Sequence, residues 1–158
     1  MDKLTALIAK HEGLRLFPYK DTVGKLTIGY GRNLDDVGIS QEMAKQVLID
    51  AGITQDMADA MLVEDVSQSI KECQKFEWFE DLNEVRQAVI VNMVFNLGIT
   101  RFKKFKKTIT YLASCNPGYA ANEMLDSKWA RQVGKRATEL SHMMKTGKWP
   151  DEKLLPRY

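Results

Sequence analysis

Apolar residues recur at helical spacing at the start of the chain and then alternate with polar ones. The pattern predicts a helix over residues 2–12, with Gly13 at the position where a helix would end. Between residues 14 and 31 the hydrophobic period changes to two and is interrupted by a proline and several glycines. That stretch predicts a small hairpin or three-stranded antiparallel sheet, which ends in a loop over residues 33–38.

The rest of the chain has the three- and four-residue apolar spacing of amphipathic helices. A short helix is predicted from Ser40, a good N-cap, to about Ala51. A long one is predicted from Thr54 to about Phe76, with a length of roughly 33 Å at 1.5 Å per residue. Glycines and an Asn-Pro-Gly turn separate the remaining predicted helices, which cover residues 83–97, 101–114, 118–128 and 132–146.

This order of elements predicts an α+β fold in which all 158 residues form a single domain. Residues 13–53 are expected to form a small sheet-bearing lobe, and residues 54–81 a connecting helix and turn. Residues 82–158 are expected to form a larger helical lobe, against which the N-terminal helix 2–12 packs.

Charge is distributed unevenly along the chain. The net charge is only +2, but residues 1–81 contain nine basic and fifteen acidic residues, whereas residues 82–158 contain fourteen basic and six acidic ones. A basic half indicates an anionic partner, which could be a nucleic acid, a membrane surface or a charged wall polymer. The two cysteines, Cys73 and Cys115, have no metal or redox spacing and are expected to be free thiols.

Three side chains near the N-terminus form a candidate catalytic group. Glu12 comes at the end of the first helix, Asp21 opens the turn of the predicted hairpin, and Thr27 follows on the returning strand. A glutamate at the carbonyl end of a helix is disfavoured in its ionised form, which suits a general acid. An aspartate in a polar turn stays ionised and can orient a water, which the threonine hydroxyl can also hold. Two carboxyl groups in different environments are what glycosidic bond hydrolysis needs.

Each of these residues taken alone has an ordinary structural explanation. Aspartate is common in turns and threonine is common in strands, so the interpretation depends on their combination. A rival interpretation from another class of protein is a non-catalytic module that binds wall polymer or nucleic acid through the basic half. No helix-turn-helix, zinc-finger or RNA-recognition signature accompanies the basic residues, so nucleic acid is not the expected partner.

The order E-x8-D-x5-T, within EGLRL, YKDT and TIGYG, resembles the phage-type lysozymes of glycoside hydrolase family 24, the T-even phage lysozyme group. The stretches VRQAVIVNMVFNLG, SKWARQVGKRA and TGKWPDEKLLPRY resemble that family in order and spacing, so the likeness covers nearly the whole chain. It implies a lysozyme-like fold and an endolysin muramidase that cleaves the β-1,4 bond between N-acetylmuramic acid and N-acetylglucosamine. It also implies inversion at the anomeric carbon, and neither a metal nor an organic cofactor.

The resemblance assigns roles to the candidate residues. It makes Glu12 the acid, Asp21 the second carboxylate and Thr27 the water-positioning hydroxyl, with Arg136 pairing the acid. Positions that line the substrate cleft are Gly31, Phe95 and Thr108. Arg32 stands where the family often has a histidine, and Asp65 is its expected ion-pair partner. Two other departures are His11, where the family commonly has an acidic residue, and Glu123, where a substrate-binding amide is expected.

The segment RFKKFKK, residues 101–107, carries five cations and two phenylalanines. On a continuous helix Phe102 and Phe105 would share a buried face opposite a solvated lysine face. The cations also suit contact with an anionic cell envelope without membrane insertion. The cationic residues are Arg101, Lys103, Lys104, Lys106 and Lys107.

The expected partner is peptidoglycan, and the expected state is a monomer. No signal peptide or membrane anchor is visible at the N-terminus. We therefore expect synthesis in the host cytoplasm and action on the wall after the membrane is permeabilised.

Overall fold

The computed structural model describes residues 2–35 and 50–150. Most of the predicted helix from Ser40 to Ala51, the end of the predicted loop 33–38 and the C-terminal residues 151–158 lie outside the described ranges. The chain divides into two compact units, Met1–Ser67 and Gln68–Tyr158.

The described part of the first unit contains a helix, a three-stranded sheet and most of a long helix. Helix α1 spans Lys3–Glu12, and Asp2 caps its N-terminus by accepting a hydrogen bond from the Thr5 amide at 2.8 Å. Strands β1 (Arg15–Lys20), β2 (Leu26–Gly29) and β3 (Arg32–Asn33) form an antiparallel sheet in that order. Helix α2, Gln55–Cys73, begins in this unit and ends in the second one.

An irregular register in the first hairpin decides which residues of the sheet share a face. Arg15 pairs with Gly29, but Tyr19 pairs with Thr27, so the register shifts between the two pairs. Pro18 lies inside the irregular stretch, where it has no amide hydrogen to donate to a neighbouring strand. Beyond the shift the pairing is regular, and the strand leads directly into the turn that begins at Asp21.

Every helix in the described part of the second unit belongs to one packed helical assembly. Its central apolar side chains are fully buried, among them Ile90, Met93, Leu112 and Leu140. The α+β class predicted from the sequence is confirmed, with the sheet in the first unit and helices in both. The helices are α3 (Glu84–Leu97), α4 (Ile99–Phe102), α5 (Lys106–Ala113), α6 (Pro117–Leu125), α7 (Lys128–Val133) and α8 (Lys135–Thr146).

The prediction of one continuous helix over residues 101–114 is wrong. Helix α4 ends at Phe102 and α5 begins at Lys106, so the basic segment crosses a break. The break lets the Phe102 and Phe105 rings stack at a centroid distance of 6.2 Å, and Phe105 also packs edge-on against Trp129 at 6.1 Å. The predicted helix over 132–146 is likewise divided, because Gly134, with a φ of +54°, separates α7 from α8.

Both cysteines are free thiols, as the sequence predicts, but their surroundings differ. Burial raises the pKa of the Cys73 thiol to about 12, with a further contribution from the charge of Glu72, whereas Cys115 is exposed.

We expect one thiol per chain to react with Ellman's reagent in the native protein and two after denaturation. A Cys115→Ser variant should show no fast-reacting thiol. Rapid native labelling of that variant would contradict the burial of Cys73.

None of the helices in residues 2–35 and 50–150 combines the length and apolarity needed to cross a membrane. The same ranges contain no cluster of three or more histidine, cysteine, aspartate or glutamate side chains suited to a metal ion.

Candidate active site

The turn after β1 fixes one oxygen of the Asp21 carboxylate. Asp21 Oδ1 accepts hydrogen bonds from the Val23 amide at 2.9 Å and the Lys25 amide at 2.8 Å. The Asp21 amide donates to the Lys25 carbonyl at 2.9 Å, which closes the hairpin, and Gly24 supplies the required φ of +84°. Within the described ranges the second oxygen, Oδ2, makes no hydrogen bond to protein. The carboxylate is thus held firmly and still has an oxygen available for a ligand.

Thr27 lies on β2 beside this turn and is almost fully buried. It is directly opposite Tyr19 in the register, and its Oγ1 donates a hydrogen bond to the Lys25 carbonyl at 3.2 Å. Since side chains two residues apart on a strand share a face, Asp21 and Thr27 are diagonal neighbours, with a typical spacing of roughly 7–8 Å. The Thr27 oxygen keeps lone pairs with which to accept a hydrogen bond.

Glu12 is the last residue of α1 and is half-buried. The helix stops there because Gly13 adopts a φ of +71° and donates its amide to the Ala9 carbonyl. Gly31, in the turn between β2 and β3, lies beside the acid, since a Cβ atom built on it would be 3.6 Å from Glu12 Oε2. The predicted acid and one predicted substrate-binding position are therefore neighbours.

The Tyr19 phenol lies close enough to the carboxylates of Glu12 and Asp21 for both charges to affect its pKa. The pKa of its phenol is raised, mainly by burial; the Arg15 charge opposes that rise, and the negative charges of Glu12 and Asp21 add to it. The Arg15 guanidinium carbon lies 4.6 Å from the centre of the ring. Sequence reasoning missed Tyr19, because its position opposite Thr27 depends on the register shift at Pro18.

Arg32 on β3 contacts two acids of α2. Its Nη1 donates to Glu64 Oε2 at 2.7 Å and lies 3.6 Å from Asp65 Oδ1, so a nearer partner accompanies the one predicted from the sequence. The hydrogen bond to Arg32 lowers the pKa of the exposed Glu64. Asp65 behaves oppositely, because burial raises its pKa by more than the Arg32 charge lowers it. The short hydrogen bond makes Glu64 the principal partner.

Replacement of Arg32 by histidine should make the stability depend on pH. The introduced imidazole would gain two acidic neighbours, so its folded-state pKa would be raised above the unfolded value of about 6.5. Its stabilisation would be complete below that value and would disappear as the pH rises through the folded pKa. We expect a loss of about 1 kcal/mol in the free energy of unfolding between pH 6 and pH 8.

The measurement is urea denaturation at several pH values, with Arg32→Lys as the matched control. Wild type and the lysine variant keep their charge over this range and should show no such loss. Parallel curves for wild type and Arg32→His would contradict the explanation.

Arg136 on α8 is buried and contacts an asparagine of α3. Its Nε donates to the Asn92 side-chain oxygen at 3.0 Å, and one of its terminal nitrogens lies 3.4 Å from the Asn92 carbonyl. Asn92 is itself fully buried within an otherwise apolar run, which is the only sequence signal for this contact. The predicted pairing of Arg136 with Glu12 stays a prediction.

The second unit also contains a concavity of about 770 Å³ beside the basic segment. Phe105 and Trp129 contribute apolar surface to it, and the predicted binding residue Thr108, almost fully buried, also lines it. Phe95 is half-buried and is not part of this lining.

Charged residues also line the concavity. Glu123, where an amide is expected, is one of them, and its Oε2 lies 3.6 Å from Lys107 Nζ. The basic residues of the lining are Arg101, Lys104, Lys106, Lys107 and Lys128.

The fold is typical of a lysozyme-type glycoside hydrolase: α1 ends in a glutamate, the small sheet and its turn hold an aspartate and a threonine, and a helical unit follows. The chain belongs to the phage lysozyme family, whose pattern matches residues 9–144. It is therefore a lysozyme-type enzyme with peptidoglycan as its class of substrate.

Individual relatives are distant but cover most of the chain. An endolysin of Acyrthosiphon pisum secondary endosymbiont phage 1 is 31% identical, over 91% of this chain and 89% of the relative. Probable T4-type lysozyme 1 of Dictyostelium discoideum is 28% identical, over 86% and 89%. The pre-baseplate central spike protein Gp5 of Enterobacteria phage T4 is 26% identical over 91% of this chain but only 28% of that protein.

Proposed function

We propose that the protein is an endolysin muramidase that hydrolyses the β-1,4 bond between N-acetylmuramic acid and N-acetylglucosamine by general acid/base catalysis. The observation that carries this proposal is the placement of both carboxylates in the first unit, with Glu12 at the end of α1 beside Gly31 and Asp21 in the hairpin turn. Asp21 has one oxygen fixed by the turn and the other open to a ligand, and Thr27 is on the same face.

In the proposed reaction Glu12 donates its proton to the glycosidic oxygen, and the bond from that oxygen to the anomeric carbon breaks. Asp21 accepts a proton from a water molecule while the water oxygen forms the new bond to the same carbon. Thr27 Oγ1 accepts a hydrogen bond that keeps this water in line. Attack from the face opposite the leaving group inverts the anomeric centre, and Arg136 orients the acid.

The proposed substrate-binding residues are Gly31, Phe95 and Thr108. Gly31 suits this role because its missing side chain keeps the surface beside the Glu12 carboxylate open for a sugar ring. Thr108 lines a concavity large enough for part of a polymer, and its neighbours Phe105 and Trp129 offer apolar ring surface.

The basic segment is proposed to hold the enzyme near the anionic envelope. Four of its five cations line the concavity and Lys103 does not, so they present a concentrated positive charge beside it. The enzyme would be made in the host cytoplasm and reach the wall once the membrane is permeabilised. The endolysin relative supports action on the cell wall, and lysis of the host would follow from it.

Clearing of purified, outer-membrane-stripped bacterial walls tests the proposal, with reducing ends assayed in the supernatant. The proposal predicts clearing together with new reducing ends. The competing possibility is a non-catalytic module that binds wall polymer or nucleic acid through the basic half. Sedimentation of the protein with walls without any release of reducing ends would favour that module and contradict the muramidase.

A further inference from the structure

Tyr19 lies on the same face of the hairpin as two of the proposed catalytic residues. It is directly opposite Thr27 in the strand pairing, and Asp21 follows two residues later, where the side-chain direction repeats. The side chain is half-buried, so part of it remains accessible to a ligand. Tyr19 is therefore next to two of the side chains to which the proposed function gives catalytic roles.

The Arg15 guanidinium lies over the Tyr19 ring. The guanidinium carbon lies 4.6 Å from the ring centroid, within the range of an attractive cation–π contact. Both residues belong to β1, but the register shift lies between them, so their contact depends on the irregular backbone at Pro18. The ring is thus held by a contact that leaves the phenol oxygen uninvolved.

The phenol hydroxyl is a hydrogen-bond donor with no protein acceptor in the described part of the chain. Burial and the nearby carboxylates raise the pKa of Tyr19, so the hydroxyl stays protonated at neutral pH and can donate. A neutral donor beside two acids suits an uncharged polar ligand, and sugars present hydroxyl and acetamido oxygens as acceptors.

We propose that Tyr19 is a substrate-binding residue whose phenol donates a hydrogen bond to an oxygen of the sugar bound against Asp21. Arg15 acts as its positioning residue by holding the ring. This inference rests on the proposed function, since it names a contact to the polymer at the same site. The class of ligand is a carbohydrate with a free hydroxyl or acetamido oxygen near the scissile bond.

Steady-state kinetics on soluble, peptide-bearing glycan fragments test the proposal with Tyr19→Phe, which removes only the hydroxyl. We expect KM to rise about three- to tenfold with kcat little changed, because one neutral hydrogen bond to substrate is lost. Tyr119→Phe is the matched control, since Tyr119 is exposed on α6 and its variant should keep wild-type constants. A purely structural role would change the melting temperature without this division between KM and kcat.

The outcomes distinguish the proposed role of Tyr19 from the proposed muramidase activity. If the wild type releases reducing ends and Tyr19→Phe keeps the wild-type KM, the role of Tyr19 is wrong and the muramidase stands. If the wild type releases none, the proposed function fails, and the Tyr19 contact fails with it.

A double-mutant cycle tests the part played by Arg15. Arg15→Met removes the cation and keeps an aliphatic chain of similar length. It should raise KM in the Tyr19 background and add nothing further in the Tyr19→Phe background, because its effect acts through the hydroxyl. Equal, additive effects in both backgrounds would overturn the positioning role.

Discussion

Glu12→Gln is expected to lower the rate of wall hydrolysis by about 100- to 10,000-fold, the usual contribution of a general acid. The substitution keeps the size of the side chain and removes the proton that the leaving oxygen needs. Because Glu12 is the last residue of α1, where Gly13 supplies the helix cap, glutamine should leave the local backbone unchanged. The measurement is release of reducing ends from purified walls per unit of folded protein.

The matched control for this variant is Glu77→Gln, the same change at an exposed position outside the site. It should retain wild-type activity. Binding of the Glu12→Gln protein to walls should persist, because only the catalytic step is removed. Activity above about a tenth of wild type in folded Glu12→Gln protein would rule out Glu12 as the general acid, given the size of the usual acid contribution.

Asp21→Asn should cause a loss in the same range, about 100-fold or more, for a different reason. An asparagine oxygen can accept the same two amide hydrogen bonds that Asp21 Oδ1 accepts from Val23 and Lys25, so the turn is preserved. The free oxygen becomes an amide nitrogen, which cannot take a proton from water. The variant should therefore be inactive and folded.

Thermal unfolding distinguishes loss of the catalytic carboxylate from damage to the turn. Exchange of a charged acceptor for a neutral one in the turn should lower the melting temperature by only about 2–4 °C. Asp81→Asn, at an exposed position, is the control and should leave the activity unchanged. A folded Asp21→Asn protein with this lowered melting temperature that still hydrolyses walls would show that Asp21 is a turn residue only.

The sequence predicted well those features that depend on neighbouring residues. The end of α1 at Glu12 follows from the glycine after it, and the turn at Asp21 follows from a short polar segment with a glycine. The three-stranded sheet was one of the two arrangements that the alternating pattern allowed.

Features that depend on distant residues could not be predicted in this way. The break after Phe102 accompanies packing of the Phe105 ring against Trp129, which is far away in the sequence. The partner of Arg136 is Asn92, and no local pattern links the two. Tyr19 was missed because alternation alone does not reveal a register shift of one strand against another.

The sugar at each new chain end in a digest of purified peptidoglycan shows which glycosidic bond the enzyme cleaves. Digestion with the wild-type enzyme, borohydride reduction and mass spectrometry would identify the sugar at each new reducing end. We expect reduced N-acetylmuramic acid at those ends, formed by wild type and absent after treatment with Glu12→Gln or Asp21→Asn. Reduced N-acetylglucosamine, an anhydro sugar without a reducing end, or equal release by the carboxylate variants would contradict this expectation.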